Sequence, residues 1–533
     1  MMMRARMAKL VLAGALVAEV MLAPIGGGAC VHAQSPAAPA TVGESSLPEL
    51  KPREPGALSA AKPMTVYRAQ CQRAKALDQE GSTAGDPIRY QVRLPEAFEA
   101  SKPATLLVVL HPEGKTVDWT FATYDAKSFR TRDVVIAMES TTITDEGERV
   151  FAPRTQDAVP MRDALLDFSR AFPTAKIILV GHEDAGRFAL AFAAGFPRLI
   201  DGVVAVRSGM LDRTPTRGGI SGLPVVFVHS PKDAGVAYVM SVDARDAFRK
   251  DEHPTATLRR GSTTDAKVIG EAEGVSDAVE YILGITARTP SEALLACERL
   301  LRPRSLDELQ RGESGIPFGM AREILRRFEA EKPKEEAKPE QEKREDGMIP
   351  PPKFDVTRKF KDLSEEDRKR AFDLSVKIEQ HAQQHARALR LAVRSSGGIK
   401  LGASSVWIGH VSALREDFRG VESIEELVQE LGIDAQYEAA RDSGDVIRSA
   451  FAEEKPAEQV FRAVVEQLPS ALLDDALPAG MEKAMTDWAS EGEKAGIDAE
   501  LLRAYETVKV YFECRRAGLK AYHGLLAGWS LER

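Results

Sequence analysis

The chain of 533 residues has four cysteines and no C-x-x-C spacing, so nothing in it indicates a zinc ribbon or a thioredoxin-like redox site. Long apolar runs are also missing: the longest, Leu10 to Ile25, falls short of the roughly 20 residues that a bilayer-spanning helix needs. No sign of charge dominates. A net charge of -8 and a pI near 5.8 give no blanket attraction for polyanions, which argues against nucleic acid or an acidic membrane surface as a partner. No internal repeat is detectable.

What is present begins with a targeting segment. Arg4, Arg6 and Lys9 form a basic region, the apolar run follows, and Val31-His32-Ala33 places small residues where a signal peptidase reads. Residues 1–33 therefore read as a signal peptide, with a mature chain from Gln34 that is secreted or periplasmic and has no transmembrane span. Lipid anchorage through Cys30 is the alternative, although Gly27-Gly28-Ala29 lacks the aliphatic residue usual before a lipidated cysteine.

Composition and periodicity divide the rest. Residues 34–62, rich in Ala, Pro and Ser, read as a flexible leader. From 63 to 290 short apolar runs alternate with amphipathic stretches. The runs are IRYQVRL (88–94), TLLVVL (105–110), DVVIAM (133–138), IILV (177–180), GVVAV (202–206), PVVFV (224–228) and TATLR (255–259). Helices are expected over 161–172, 187–196, 241–250 and 276–284. Continuous apolar strands separated by helices predict an α/β domain with a mostly parallel sheet covered on both faces. A helical extension over 291–330 leads to a charged, proline-containing linker at 331–352, and 353–533 reads as a separate all-α domain whose first helix has Ser364 as its N-cap.

Within the α/β region, ILVGHEDAGRFAL (177–189) runs from an apolar strand through a glycine-bracketed turn into a helix. This is the strand-turn-helix arrangement of the nucleophile elbow G-x-S-x-G, but Glu183 stands where the serine would be, and Ala185 replaces the second glycine, with Gly186 next to it. Together with LVVLHPEG (107–114) and LPVVFVHSPKD (223–233), this stretch makes residues 85–285 resemble an α/β-hydrolase domain of the small esterase, dienelactone hydrolase and polyester depolymerase kind. The resemblance implies that LVVLHPEG borders the oxyanion hole, that Glu183 occupies the nucleophile position and that Asp233 is the triad acid. It also implies a base histidine after the last strand, yet RRGSTTDAKVIGEAEG (259–274) contains none; His253 precedes that strand and the next histidine is His381.

Without an imidazole in that place, serine-hydrolase chemistry has no group to shuttle the proton. The resulting expectation is an exported protein with a catalytically inactive hydrolase-like domain used for binding or structure, joined to a helical domain that holds a protein or small-molecule partner. The alternative is a hydrolase acting on ester or alkyl substrates, with Glu183 as nucleophile in the manner of dehalogenases and epoxide hydrolases of the same superfamily. No cofactor and no metal site is indicated: His381 and His385 share a helix face at i, i+4 without an evident third ligand. A cation from Lys267 or Arg187 is expected to bridge Glu183 and Asp233, the other outcome being a Glu183 carboxylate facing solvent. Cys71 and Cys297 flank the domain and are candidates for a disulfide, against the simpler reading that Cys71, Cys297 and Cys514 are buried thiols. Trp488, Tyr505, Tyr511, Phe512 and Trp529 have spacings suited to a bundle core.

Overall fold

The computed structural model describes residues 47–71, 88–124, 129–140, 142–144, 147–151, 157–209, 222–229, 238–250, 256–260, 269–302, 316–329, 359–361, 363–395, 411, 414–415, 417–471, 481–511 and 513–514. Two units emerge, one comprising Thr41–Ile378 with Glu416–Gly420, the other including Glu379–Arg415 and Val421–Arg533.

The first unit is built on an eight-stranded sheet in the order β1-β2-β4-β3-β5-β6-β7-β8. Its strands are β1 Val66–Gln70, β2 Arg89–Arg93, β3 Ala104–Leu110, β4 Val134–Met138, β5 Thr174–His182, β6 Gly202–Val206, β7 Val225–His229 and β8 Ala256–Arg260. Pairings β1/β2 and β2/β4 are antiparallel and all the others parallel. In β4, β6 and β7 every residue is buried, which is why their sequences are unbroken apolar runs rather than alternating ones.

Helices cover both faces. These are α1 Val117–Thr123, α2 Ala158–Ala171, α3 Asp184–Gly195, α4 Tyr238–Lys250, α5 Ile269–Ile285, α6 Pro290–Leu300 and α7 Phe318–Leu325. Phe168 of α2, Phe188 of α3 and Phe248 of α4 join one core with Leu106, Ile136, Leu179, Val203 and Phe227. On the opposite face Ile282 of α5 packs so closely on Gly202 that a Cβ there would lie 2.5 Å from it. Lys176 and Arg327 converge on the end of α5: Lys176 Nζ donates to the Leu283 carbonyl at 3.2 Å, and Arg327 donates to the carbonyls of Gly284, Ile285 and Ala287 at 2.9–3.1 Å. Cations there meet the negative end of the helix dipole and its unpaired carbonyls.

Several details differ from the sequence reading. β1 lies where no strand was expected, and its edge takes up part of the stretch read as leader: Leu50 N donates to Arg68 O at 2.8 Å, and Leu50 is buried. Neither Cys71 nor Cys297 is disulfide-bonded; both thiols are buried, and Cys514 is exposed. Cys297 Sγ donates instead to the Ala321 carbonyl at 3.6 Å, inside the contact between α6 and α7. The segments 1–33 and 331–352, with Cys30 and Gln34, lie outside the described residues.

The C-terminal region is helical. It contains α8 Glu365–Ser395, α9 Glu422–Glu430, α10 Ile433–Ala452, α11 Ala457–Gln467 and α12 Met481–Glu491, and residues 499–511 are helical too. Ser364 caps α8 as expected, accepting from Asp367 N at 3.0 Å. Ile447, Val460, Phe461, Val464, Met485 and Tyr505 form the core of the second unit, with Trp488 packed against it. Tyr511 is half-buried, while Phe512 and Trp529 lie outside the described residues. No helix among the described residues is long and apolar enough to cross a membrane.

Candidate functional site

β5 ends at His182 and α3 begins at Asp184, so one residue, Glu183, makes the whole turn. It does so at φ 55°, ψ −118°, a conformation that costs a non-glycine residue on the order of 1–3 kcal/mol and persists only where neighbours enforce it. The enforcing contacts are specific. Glu183 N donates to Val206 O at 2.9 Å, extending the β5/β6 ladder, and Gly186 N donates back to Glu183 O at 3.0 Å. A Cβ on Gly181 would lie 2.3 Å from the Ala185 carbonyl oxygen, and one on Gly186 would lie 2.6 Å from Ser208 Cβ. The two glycines that this turn needs are therefore 181 and 186. Ala185, in the place of the second glycine, is accommodated as a buried residue of α3.

The Glu183 carboxylate has a partner that the sequence reading missed. Arg207 Nη1 lies 3.3 Å from Glu183 Oε1, with the two side chains 14% and 32% exposed. Arg207 follows β6 directly and itself has φ 51°, its N–H donating to Val228 O at 2.8 Å. Of the expected bridging cations, Arg187 pairs with Asp184 at 3.1 Å, while Lys267 lies outside the described residues, as does Asp233. Strand register brings Arg207 to Glu183. Parallel pairing puts His182 opposite Val206, so the next residue on each chain, Glu183 and Arg207, leaves the sheet at the same level.

Three imidazoles occur at the same ends of the strands. His111 follows β3, His182 ends β5 and His229 ends β7, each coming directly after an apolar run. All three are buried and bonded. His111 Nδ1 donates to the Pro112 carbonyl at 2.9 Å, and its Nε2 accepts from Ser140 N at 3.3 Å, which fixes the neutral tautomer; burial lowers its pKa. His182 Nε2 is 2.7 Å from the Tyr124 hydroxyl, with Trp119 edge-on at 4.8 Å. Burial, and after it the nearby Arg207 and His111, hold His182 down at about 3, so this ring is neutral near pH 7. His229 Nδ1 donates to Ser241 Oγ at 2.8 Å, and that hydroxyl donates to Ser208 O at 2.6 Å. This last chain holds the segment against which Gly186 packs.

The arrangement thus keeps the backbone of an elbow and fills its apex with an ion pair, while the imidazoles of the edge bond to main chain, Tyr124 and Ser241. On α8, His381 and His385 occupy successive turns, and among the described residues no group of three His, Cys, Asp or Glu is placed to hold a metal ion.

The first unit has the α/β-hydrolase-like fold: a mostly parallel sheet between helices, with a strained residue making the β5–α3 turn. Comparison with protein-family models and with curated proteins gives no match. Among solved structures, the chain is similar to a Bacillus cereus carboxylesterase at 13% identity, covering 36% of this chain and 94% of that one with a TM-score of 0.28. A fluorophosphonate-binding serine hydrolase of Staphylococcus aureus matches at 13% identity, over 40% and 96% of the two chains, with a TM-score of 0.29. A ferulic acid esterase from Anaeromyces mucronatus matches at 10% identity, over 40% and 88%, with a TM-score of 0.30.

Proposed function

We propose that this is an exported protein whose α/β-hydrolase-like domain binds a ligand or serves as a scaffold without hydrolysing esters, and whose helical unit holds a partner. The observation that carries the reading is the Glu183–Arg207 pair at the elbow. A serine there attacks through an oxygen that an imidazole deprotonates. Here the side chain is a carboxylate held by a guanidinium, and His182, His111 and His229 are committed to other hydrogen bonds. Residues 259–274, where the resemblance requires the base, contain no histidine. Export rests on the pattern of residues 1–33, and partner binding on the presence of a second unit with its own core.

The test is a fluorophosphonate probe together with a panel of activated short-chain esters. The expected result is neither labelling nor turnover above the uncatalysed rate. Labelling of the native protein at any serine, with turnover that the label abolishes, overturns the reading.

A second reading has one observation in its favour. Glu183 keeps the strained conformation that presents a nucleophile in this fold, which suits attack by its carboxylate on an alkyl centre. Ester-linked substrate on the peptide containing Glu183, trapped by rapid acid quench, is the result this reading requires.

A further inference from the structure

We propose that the excursion after β4 is an acid-released flap, latched to the strand ends beside the elbow by the His111 imidazole. Its described residues are 142–144 and 147–151. Ile143 and Arg149 form an antiparallel bridge, Val150 N donates to Thr142 O at 3.1 Å, and Thr144 N donates to Glu148 O at 2.8 Å, so the excursion folds back on itself as a short hairpin. Ile143 is exposed and Phe151 buried. The Phe151 ring lies 5.0 Å from His111 and 5.5 Å from Phe188 of α3, which places the base of the hairpin over the helix that follows the elbow.

Register puts His111 between the hairpin and the elbow. Leu110 pairs with Met138 on one side and with Gly181 on the other, so His111 leaves the sheet level with Glu139 and His182. Its ring uses both nitrogens: Nδ1 donates to the Pro112 carbonyl at 2.9 Å, and Nε2 accepts from Ser140 N, where the excursion begins, at 3.3 Å. Gly114 N, in the same loop as His111, donates to Arg149 O at 3.2 Å. A neutral imidazole has one donor and one acceptor, and an imidazolium has two donors. Protonation therefore sets an N–H at Nε2 against the Ser140 N–H, and the latch holds only while the ring is neutral.

The surroundings favour the neutral ring as long as the flap is closed. Burial acts most strongly against the charged form, and Arg149 of the hairpin acts the same way, while the Pro112 carbonyl and Asp157, the residue before α2, act in its favour. His182 on the elbow side is itself held neutral by burial. An open flap returns His111 to water, where an imidazole has an ordinary pKa of about 6.5. The open form therefore takes up the proton more readily, and falling pH shifts the population toward it. Two carboxylates also tie the excursion down: Asp157 Oδ2 accepts from the Thr142 hydroxyl at 2.6 Å, and Glu139 Oε1 lies 3.2 Å from Arg149 Nε. The test has to separate them from His111.

Hydrogen exchange of the full-length protein is read by mass spectrometry on peptides from the hairpin and from β6 at pH 7 and pH 5.5, with the intrinsic pH dependence of exchange divided out. One proton on a group of ordinary pKa 6.5 raises an open population by about tenfold at most over that interval. A severalfold rise is expected in the hairpin, at labelling times over which β6 stays protected at both pH values. It is expected to persist in Asp157→Asn, Glu139→Gln and His182→Gln. It is expected to vanish in His111→Gln, which offers an acceptor that does not titrate, and in His111→Phe, which keeps a ring against Phe151. Hairpin exchange that is equal at the two pH values, that rises only where β6 exchanges too, that still rises in either folded His111 variant, or that stops rising in a carboxylate variant overturns the proposal.

Discussion

The two units place their charges differently. In the sheet unit, ionised groups go inside: Glu280 of α5 receives Arg130, Arg132 and Arg299, and Arg130 also pairs with Asp133, with Arg130, Asp133 and Glu280 side chains no more than 5% exposed. Burial, and next the adjacent Arg130 and Arg299, bring Arg132 down to about 9. Among the described residues of the helical unit, the core from Ile447 to Val508 is apolar apart from the Tyr505 hydroxyl. Ion pairs such as Arg462–Glu458 and Lys455–Glu453 lie on its surface. A buried pair adds little net stability but is costly to break from one side, whereas an exposed pair is nearly neutral either way. The sheet unit should therefore respond strongly to charge removal and to pH, and the helical unit weakly.

The largest effect is expected at Glu280. Glu280→Gln leaves three arginines facing Asp133 alone and should cost about 3–5 kcal/mol in urea unfolding. A loss below 1 kcal/mol, comparable to a surface substitution, would remove the contrast between the units.

Acid is expected to act through His182. Its folded-state pKa of about 3 lies below the ordinary 6.5, so the stability it contributes is complete above pH 6.5 and declines as the pH falls from there toward 3. Integrated over that window, the linkage is on the order of 4 kcal/mol. His111 shifts in the same direction. Thermal melts of the wild type between pH 7 and 4 should show this decline, and His182→Gln should flatten it; parallel curves would assign the acid sensitivity elsewhere.

At the elbow the expected effect is smaller, because Glu183 is a third exposed. Glu183→Gln should cost about 1 kcal/mol, and a double-mutant cycle with Arg207→Met should return a coupling of that order. Zero coupling would make the pair incidental. Smallest of all, Arg462→Ala on the surface of α11 should leave the melting temperature unchanged; a clear drop there would mean that the helical unit also depends on its ion pairs.

These contrasts also mark what was readable beforehand. The strand at 202–206 matches the sequence reading residue for residue, because a strand buried on both faces writes itself as an unbroken apolar run. β1 escaped notice because Arg68 and Gln70 break its apolar pattern, as befits an edge strand with one side toward solvent. The elbow was legible from Gly181, Glu183 and Gly186, whose spacing encodes a turn. Its cation was not, since Arg207 reaches Glu183 only through the register of β5 on β6, which neither proximity in sequence nor the place of the absent histidine encodes. The imidazoles were overlooked for a related reason: His182 and His229 follow apolar runs, but only the sheet order reveals that they share an edge with His111.

The central claim is that the elbow persists as a fixed ion pair and not as a nucleophile. The most direct test is steady-state turnover of esters, epoxides and haloalkanes by the wild type beside Glu183→Gln, with folding verified for both. Rates equal to the uncatalysed background are expected for each protein and each substrate. Wild-type turnover that disappears in a folded Glu183→Gln would contradict the claim.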